Sequence, residues 1–175
     1  MPTYSPDSEA YRLRVHRNGR AEDPNFTPDE LLYRRFQQDK LVNGWPMSLN
    51  ISMDDASGIS VNRERYSLPQ DVLEPDCCDG NRREGMVVLQ FAVSDLPEQL
   101  STSEREYRFK PKHAPLECCY AHSAIWCNGE GNIDQPYEKP SKTARDLFRA
   151  RLLEKMKTMG REPRTFRPHA MTASG

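Results

Sequence analysis

Apolar residues follow a strand-like spacing through the middle of the chain. Residues 47–53 alternate between apolar and polar side chains, and residues 86–93 form a continuous apolar run of strand length. Residues 107–110 and 120–127 predict two further strands, and the alternation over 11–17 predicts a short edge strand. We therefore expect a small antiparallel sheet of three to five strands, with 86–93 as a central strand.

Two stretches have the spacing of amphipathic helices. Thr27 and Glu30 fit a capping box, and the apolar residues that follow predict a helix over about 28–38. Ser141 fits the N-cap of a second helix, whose apolar stripe runs over 144–156. These elements predict an α+β fold in which an N-terminal and a C-terminal helix cover the sheet.

The composition limits how much of the chain can form a core. Of 175 residues, 36% are hydrophobic and 14 are Pro, so we expect a single domain over 11–160 with a modest core and long loops. Residues 1–10 predict a disordered arm, and 161–175 predict a disordered basic tail.

Three features of the sequence bear on location. The chain has no apolar run of membrane-spanning length and no apolar secretory segment near residue 1, so we expect no membrane association. The count of five Cys is odd, which favours free thiols over a disulfide framework. These features predict a cytoplasmic protein.

The net charge of −1 hides a strong asymmetry along the chain. Residues 21–138 carry 11 basic and 21 acidic residues, whereas 139–175 carry 10 basic and three acidic residues. A basic segment of this kind predicts docking on an acidic partner protein, with nucleic acid as the alternative. The candidate partner-binding residues are Arg145, Arg149, Lys155, Arg161 and Arg164.

The stretch 107–127 concentrates residues that could carry chemistry. Cys119, His122 and Cys127 are weak candidates for a zinc site, since tetrahedral zinc takes four Cys or His ligands. Strand alternation, however, places Cys119 and His122 on opposite faces, so we expect buried thiols and neither a metal nor a cofactor. Cys118 or Cys119 paired with a histidine could act as a nucleophile, but no cysteine-hydrolase signature surrounds them.

Three short motifs point to nucleotide chemistry, although neither a P-loop nor a dinucleotide-binding glycine motif occurs. LLYRRF at 31–36, GISVNR at 58–63 and AHSAIW at 121–126 together resemble the opening of small ADP-ribosyltransferase-like bacterial proteins. In those proteins an early Arg or His and a later Ser-bearing strand contact the dinucleotide. The resemblance implies a nucleotide- or NAD-using transferase with Arg34, Arg35, Ser60, Arg63 and His122 as candidate catalytic residues.

No motif in the sequence fixes a reaction. The leading hypothesis is therefore a small bacterial accessory protein, not an enzyme, that binds a partner protein in a defence or toxin-related system. The transferase is the alternative, and a small zinc-binding or nucleic-acid-binding protein is a further one. The first two hypotheses differ in whether the five candidate catalytic residues converge in one concave site.

Overall fold

The computed structural model describes residues 9–48, 51, 53, 58–73, 85–130 and 132–166. Their elements are, in chain order, α1 (Glu9–Val15), β1 (Leu31–Gln37), β2 (Leu41–Val42), β3 (Trp45–Pro46), β4 (Ile59–Arg63), β5 (Met86–Ala92), β6 (Gln99–Ser101), β7 (Glu106–His113), β8 (His122–Asn128) and α2 (Lys142–Thr158). A 3-10 turn at Pro69–Leu73 follows β4. No helix within these residues is long and apolar enough to cross a bilayer.

The described strands form two antiparallel sheets. Six strands lie in the order β5-β1-β4-β8-β7-β6, while β2 and β3 form a separate hairpin. The turn of this hairpin is Asn43-Gly44, where both residues have positive φ, as a tight hairpin requires. The fold is α+β, but the prediction of a three-to-five-strand sheet was wrong because residues 31–37, 59–63 and 99–101 also form strands of the larger sheet.

Strand β1 replaces the helix that was predicted over 28–38. Glu30 N–H bonds to the carbonyl of Thr27 at 3.1 Å, so the apparent capping box forms a turn. All seven residues of β1 then pair with β5. Leu32 and Phe36 pack into the main core and Tyr33 into a smaller cluster on the other face. The long ladder with β5 outweighs the local helical signal.

Helix α1 replaces the strand that was predicted over 11–17. Tyr11 is its buried residue, and the alternating arginines lie around a short helix instead of along one strand face. Arg14 holds the helix against the body with two hydrogen bonds to Asp71, at 2.5 and 2.8 Å. The ion pair and the buried tyrosine fix a helix that is too short to be stable alone.

Strand β5 lies at the sheet edge and not at its centre. Its residues are continuously apolar because both faces of the strand are buried. Val87, Leu89 and Phe91 face the main core, and Val88 faces the smaller cluster. The outer edge is also covered, because Arg164 exchanges two backbone hydrogen bonds with Val88, at 2.8 and 3.0 Å.

The main core lies between the sheet and α2, the helix that was predicted near the C-terminus. Ser141 caps the helix by accepting a hydrogen bond from Ala144 N–H at 3.3 Å. Phe148 contacts Phe109 of β7 with ring centroids 4.4 Å apart. One face of the six-stranded sheet is therefore packed against α2, and part of the opposite face carries the smaller cluster with Val72 and Leu73 of the 3-10 turn.

The remaining predicted segments fall partly outside the described residues. Residues 49, 50 and 52 of the predicted strand 47–53 lie outside them; Ile51 and Met53 are buried but are not in a strand. Residues 1–8 and 167–175 also lie outside the described part of the chain. Strand β7 continues through Pro111, which lies beyond the end of β6 and therefore removes no ladder hydrogen bond.

Candidate functional site

Strands β1 and β4 are neighbours that part after two residue pairs. They pair at Leu32–Arg63 and Tyr33–Asn62, where the ladder between them ends within the described residues. From there β1 continues to Gln37 along β5, while β4 remains paired with β8 as far back as Ile59. The gap between residues 34–37 and 59–61, which we call the fork, interrupts the middle of the sheet.

A cavity of about 460 Å³ occupies the fork. It carries three cationic side chains, and none of the described residues that line it is Asp or Glu. The lining consists of Tyr33, Arg34, Arg35, Phe36, Gln37, Lys40, Ser60, Val61, Asn62, Val72, Met86, Leu116, Cys119 and His122. A concave surface with three positive side chains, and with no carboxylate among the residues that the structure describes in its lining, attracts anions even on a chain whose middle segment is acidic.

Arg34 bridges the fork. Its Nη1 donates a hydrogen bond to the backbone carbonyl of Ser60 at 2.6 Å. Arg35 lines the same cavity from the next position of β1. Because adjacent strand residues point to opposite faces, the two guanidinium groups approach the cavity from different sides of β1.

Ser60 and His122 form a hydrogen-bonded pair inside the cavity. The Oγ of Ser60 lies 2.8 Å from Nε2 of His122, and Nδ1 of His122 lies 2.7 Å from the carbonyl oxygen of Ala114. Because a carbonyl only accepts, Nδ1 carries the proton of the neutral imidazole and Nε2 accepts from the serine hydroxyl. The pair is a hydroxyl with a base beside it, in a fixed orientation.

Tyr33 and Asn62 also line the cavity but were not named by the sequence analysis, and Cys119 was named there only as a zinc ligand or nucleophile. Asn62 lies two residues after Ser60, and strand alternation puts both on one face. Cys119 Sγ lies 3.7 Å from Asn62 Oδ1, so a turn brings it beside β4. Burial and the nearby Glu64 raise the pKa of Tyr33, which keeps its hydroxyl neutral. The alternation of β4 could have identified Asn62; nothing local pointed to Tyr33.

Arg63 does not lie with the other candidate catalytic residues. It follows Ile59 and Val61 on the opposite face of β4 and is 0% exposed. Two hydrogen bonds join it to Glu30, at 2.8 and 2.9 Å, and a third joins it to the carbonyl of Asp23 at 2.7 Å. These bonds make Arg63 a structural residue that ties the loop before β1 to β4.

His113 belongs to this structural network and not to the cavity. It is 2% exposed; Nδ1 accepts from the backbone N–H of Asp23 at 2.8 Å, and Nε2 donates to the carbonyl of Tyr120 at 2.6 Å. Burial lowers the pKa of His113. The hydrogen bond from the Tyr66 hydroxyl lowers the pKa of Asp23. The lowered pKa of His113 favours the neutral ring, whose Nδ1 can accept from Asp23 N–H. The lowered pKa of Asp23 favours the carboxylate, which can accept from the Tyr66 hydroxyl.

The three weak zinc candidates are not brought together. Cys119 and His122 line the fork cavity, but Cys127 is buried in the main core on the other face of β8. Burial raises the pKa of the Cys127 thiol to about 12, which disfavours the thiolate that zinc requires. No group of three or more His, Cys, Asp or Glu able to hold a metal occurs in the described residues.

The candidate partner-binding residues occupy several environments. Arg149 is buried and donates to the carbonyl of Ile51 at 2.7 Å. Arg161 pairs with the buried Asp95 at 2.5 Å, and Arg145 donates to the carbonyl of Pro140 at 3.4 Å. Lys155 and Arg164 are the exposed members of the set. Docking of a partner through this segment stays a prediction, and the structure identifies no partner.

Comparison of the chain with models of known protein families, with curated proteins and with solved structures gave no match. The argument for function therefore rests on the arrangement of residues in the fork. Four of the five candidate catalytic residues, namely Arg34, Arg35, Ser60 and His122, line this one cavity.

Proposed function

We propose that the fork cavity binds a phosphate-bearing small molecule of the nucleotide class and that the protein is a nucleotide-using enzyme. The observation that carries this proposal is the convergence of Arg34, Arg35, Ser60 and His122 in one cavity. Convergence of these residues is what separates an enzyme site from an accessory protein with scattered surface charges.

The charge of the cavity supports an anionic ligand. Arg34 and Arg35 offer planar guanidinium groups whose donors match pairs of phosphate oxygens, and Lys40 adds a third positive charge. A phosphate group would meet no opposing carboxylate among the described lining residues. Both charge and donor geometry therefore favour phosphate over a neutral ligand.

The size and the apolar part of the cavity support a nucleotide over a free phosphate ion. A volume of about 460 Å³ falls within the range of small-molecule sites, roughly 300–1,000 Å³. Val72, Met86 and Leu116 contribute apolar surface to the lining, on which a base or another planar ring can pack. Inorganic phosphate would leave this surface unfilled.

We place this function in the cytoplasm. Cys118, Cys119 and Cys127 carry free thiols, and two of them are adjacent in sequence. Free thiols persist in a reducing compartment, where disulfides are rare.

Calorimetric titration tests the proposal with four probes: ADP, AMP, pyrophosphate and adenosine. We expect ADP and AMP to bind, pyrophosphate to bind more weakly, and adenosine to show no binding at the same concentrations. Arg35→Gln should weaken ADP binding by about tenfold or more, a loss of about 1.4 kcal/mol.

Arg151→Gln is the matched control, because Arg151 is an exposed arginine on α2 that does not line the fork. Its affinity for ADP should equal that of the wild type. Equal binding of adenosine and ADP, or equal weakening by both substitutions, would exclude a phosphate site in the fork.

A further inference from the structure

We infer that Ser60 is a nucleophile and His122 its general base in the transfer of a phosphoryl group from the ligand to water. This inference rests on the proposed function, since it assigns a reaction to the same cavity. It goes beyond ligand binding because a positioning hydroxyl needs no base, whereas a nucleophilic hydroxyl does.

The hydrogen-bond chain has the order that a nucleophile, its base and an orienting group require. Ser60 Oγ lies 2.8 Å from Nε2 of His122, within the range for direct proton transfer. The carbonyl of Ala114, 2.7 Å from Nδ1, fixes the tautomer in which Nε2 is unprotonated. In serine hydrolases a carboxylate orients the histidine; here a backbone carbonyl takes that place.

The position of Arg34 supports phosphorus as the electrophile. Its guanidinium is bonded to the backbone carbonyl of Ser60, so a positive group is fixed on the nucleophile's own residue. Negative charge on phosphoryl oxygens during attack by Ser60 would be stabilised by Arg34. Ser60 is also exposed to the cavity, so a substrate can reach its Oγ.

The first step forms a bond between Ser60 Oγ and phosphorus and breaks the bond from phosphorus to the leaving oxygen. The hydroxyl proton passes to Nε2 of His122 and from there to the leaving oxygen. In the second step a water oxygen bonds to phosphorus, the bond from phosphorus to Oγ breaks, and the water proton returns to Oγ through Nε2. The sum is hydrolysis of one phosphoester bond by one water, with both residues restored.

A fluorophosphonate probe tests the first step directly. Attack by an activated serine forms the Oγ–phosphorus bond and releases fluoride, so the adduct is seen by intact mass and located by peptide mass spectrometry. We expect one adduct on Ser60 in the wild type and none on Ser60→Ala. His122→Asn keeps a donor for the Ala114 carbonyl but removes the base, so labelling should slow by about 100-fold or more, within the range for loss of a general base.

Ser101→Ala is the control, since Ser101 is exposed on β6, away from the fork. Ser60 of this variant should be labelled at the wild-type rate. Thermal melts of each variant show that it is folded, and His122→Asn keeps the test valid if Ser60→Ala does not fold. Labelling of other serines only, or a rate unchanged in His122→Asn, overturns the inference.

The same probe separates the inference from the proposed function. ADP should protect Ser60 from labelling in proportion to its occupancy of the cavity. Ligand binding without any labelling of Ser60 overturns the nucleophile and leaves the binding function in place. Labelling that depends on His122 but is not slowed by any phosphate-bearing probe supports the nucleophile and overturns the nucleotide ligand.

Discussion

Arg34 and Ser60 are joined across the point at which β1 and β4 part, by a hydrogen bond of 2.6 Å from Nη1 to the backbone carbonyl. In a continued ladder this carbonyl would accept from a backbone N–H of β1. The side chain of Arg34 takes the place of that backbone donor and leaves room between the strands. The fork is thus an interruption of the β1–β4 ladder, and the Arg34 guanidinium lies where the two strands part.

Arg34→Gln should affect both stability and binding. Loss of a hydrogen bond from a charged donor at a solvent-accessible position should lower the free energy of unfolding by about 1 kcal/mol. Loss of the positive charge should weaken ADP binding by about tenfold or more. Urea denaturation and calorimetry measure the two effects. Full affinity in a folded Arg34→Gln variant would show that the fork arginine does not meet the ligand.

Arg63→Met should be strongly destabilising and should not act through the ligand. It leaves Glu30, 6% exposed, as a buried charge without its main partner, which should cost about 3–5 kcal/mol by urea denaturation. Arg65→Gln is the control, because its ion pair with Asp23 is 40% exposed on the arginine side and should contribute far less to stability than the buried contacts of Arg63. If Arg63→Met left the free energy of unfolding nearly unchanged but weakened ADP binding, Arg63 would instead belong to the ligand site.

The sequence alone could have shown that Arg63 does not lie with the other candidate catalytic residues. Ile59, Val61 and Arg63 alternate with Ser60 and Asn62, so one strand cannot present both Ser60 and Arg63 to the same cavity. The local motif GISVNR placed both residues in the site, whereas the period of two separates them. The alternation of β8 and the helical spacing of α2 made these elements predictable in the same way, whereas β5 was predictable from its continuous apolar run.

The identity of β1 could not be read from its own residues. Residues 31–37 contain Leu, Tyr, Arg, Phe and Gln but no β-branched residue, and a turn that resembles a capping box precedes them. What makes them a strand is the ladder with β5, which begins only at Met86. The fork depends on β1 and therefore could not be foreseen, even though Arg34, Arg35, Ser60 and His122 were named.

The protein should lose stability as the pH falls below about 6.5 because of His113. Burial is the main cause of its lowered pKa, and Arg63 acts in the same direction, against the Tyr120 carbonyl, Asp23 and Glu22. A histidine with a lowered pKa in the folded state contributes its full stability above its unfolded pKa of 6.5 and loses it as the pH falls further. Asp23, whose pKa is lowered from 3.8, does not titrate between pH 5 and 7.

Urea denaturation at pH 5, 6 and 7 measures this effect. The free energy of unfolding should fall from pH 7 to pH 5 in the wild type, and the fall should be smaller in His113→Asn. An Asn side chain can still accept from Asp23 N–H but does not gain a proton in this range. The same fall in both proteins would mean that His113 is not the responsible group.

Residues 161–166 should be required for stability, in contrast to the expectation that 161–175 form a disordered tail. A chain ending at residue 160 loses the Arg164–Val88 backbone pair and the Arg161–Asp95 ion pair. It should unfold at a lower urea concentration and should associate through the exposed edge of β5, as light scattering would show. A chain ending at residue 166 keeps these contacts and is the control. Equal behaviour of the two chains would contradict the edge-covering role.

The central claim is that the fork between β1 and β4 is a nucleotide-binding site. Titration of ¹⁵N-labelled protein with ADP, followed by amide chemical shifts, tests it most directly. The largest shifts should fall on residues 34–37 and 59–62 and on His122, and they should be lost in Arg35→Gln but kept in Arg151→Gln. Shifts centred on α2 or on residues 161–166, or no saturable shifts at all, would contradict the account.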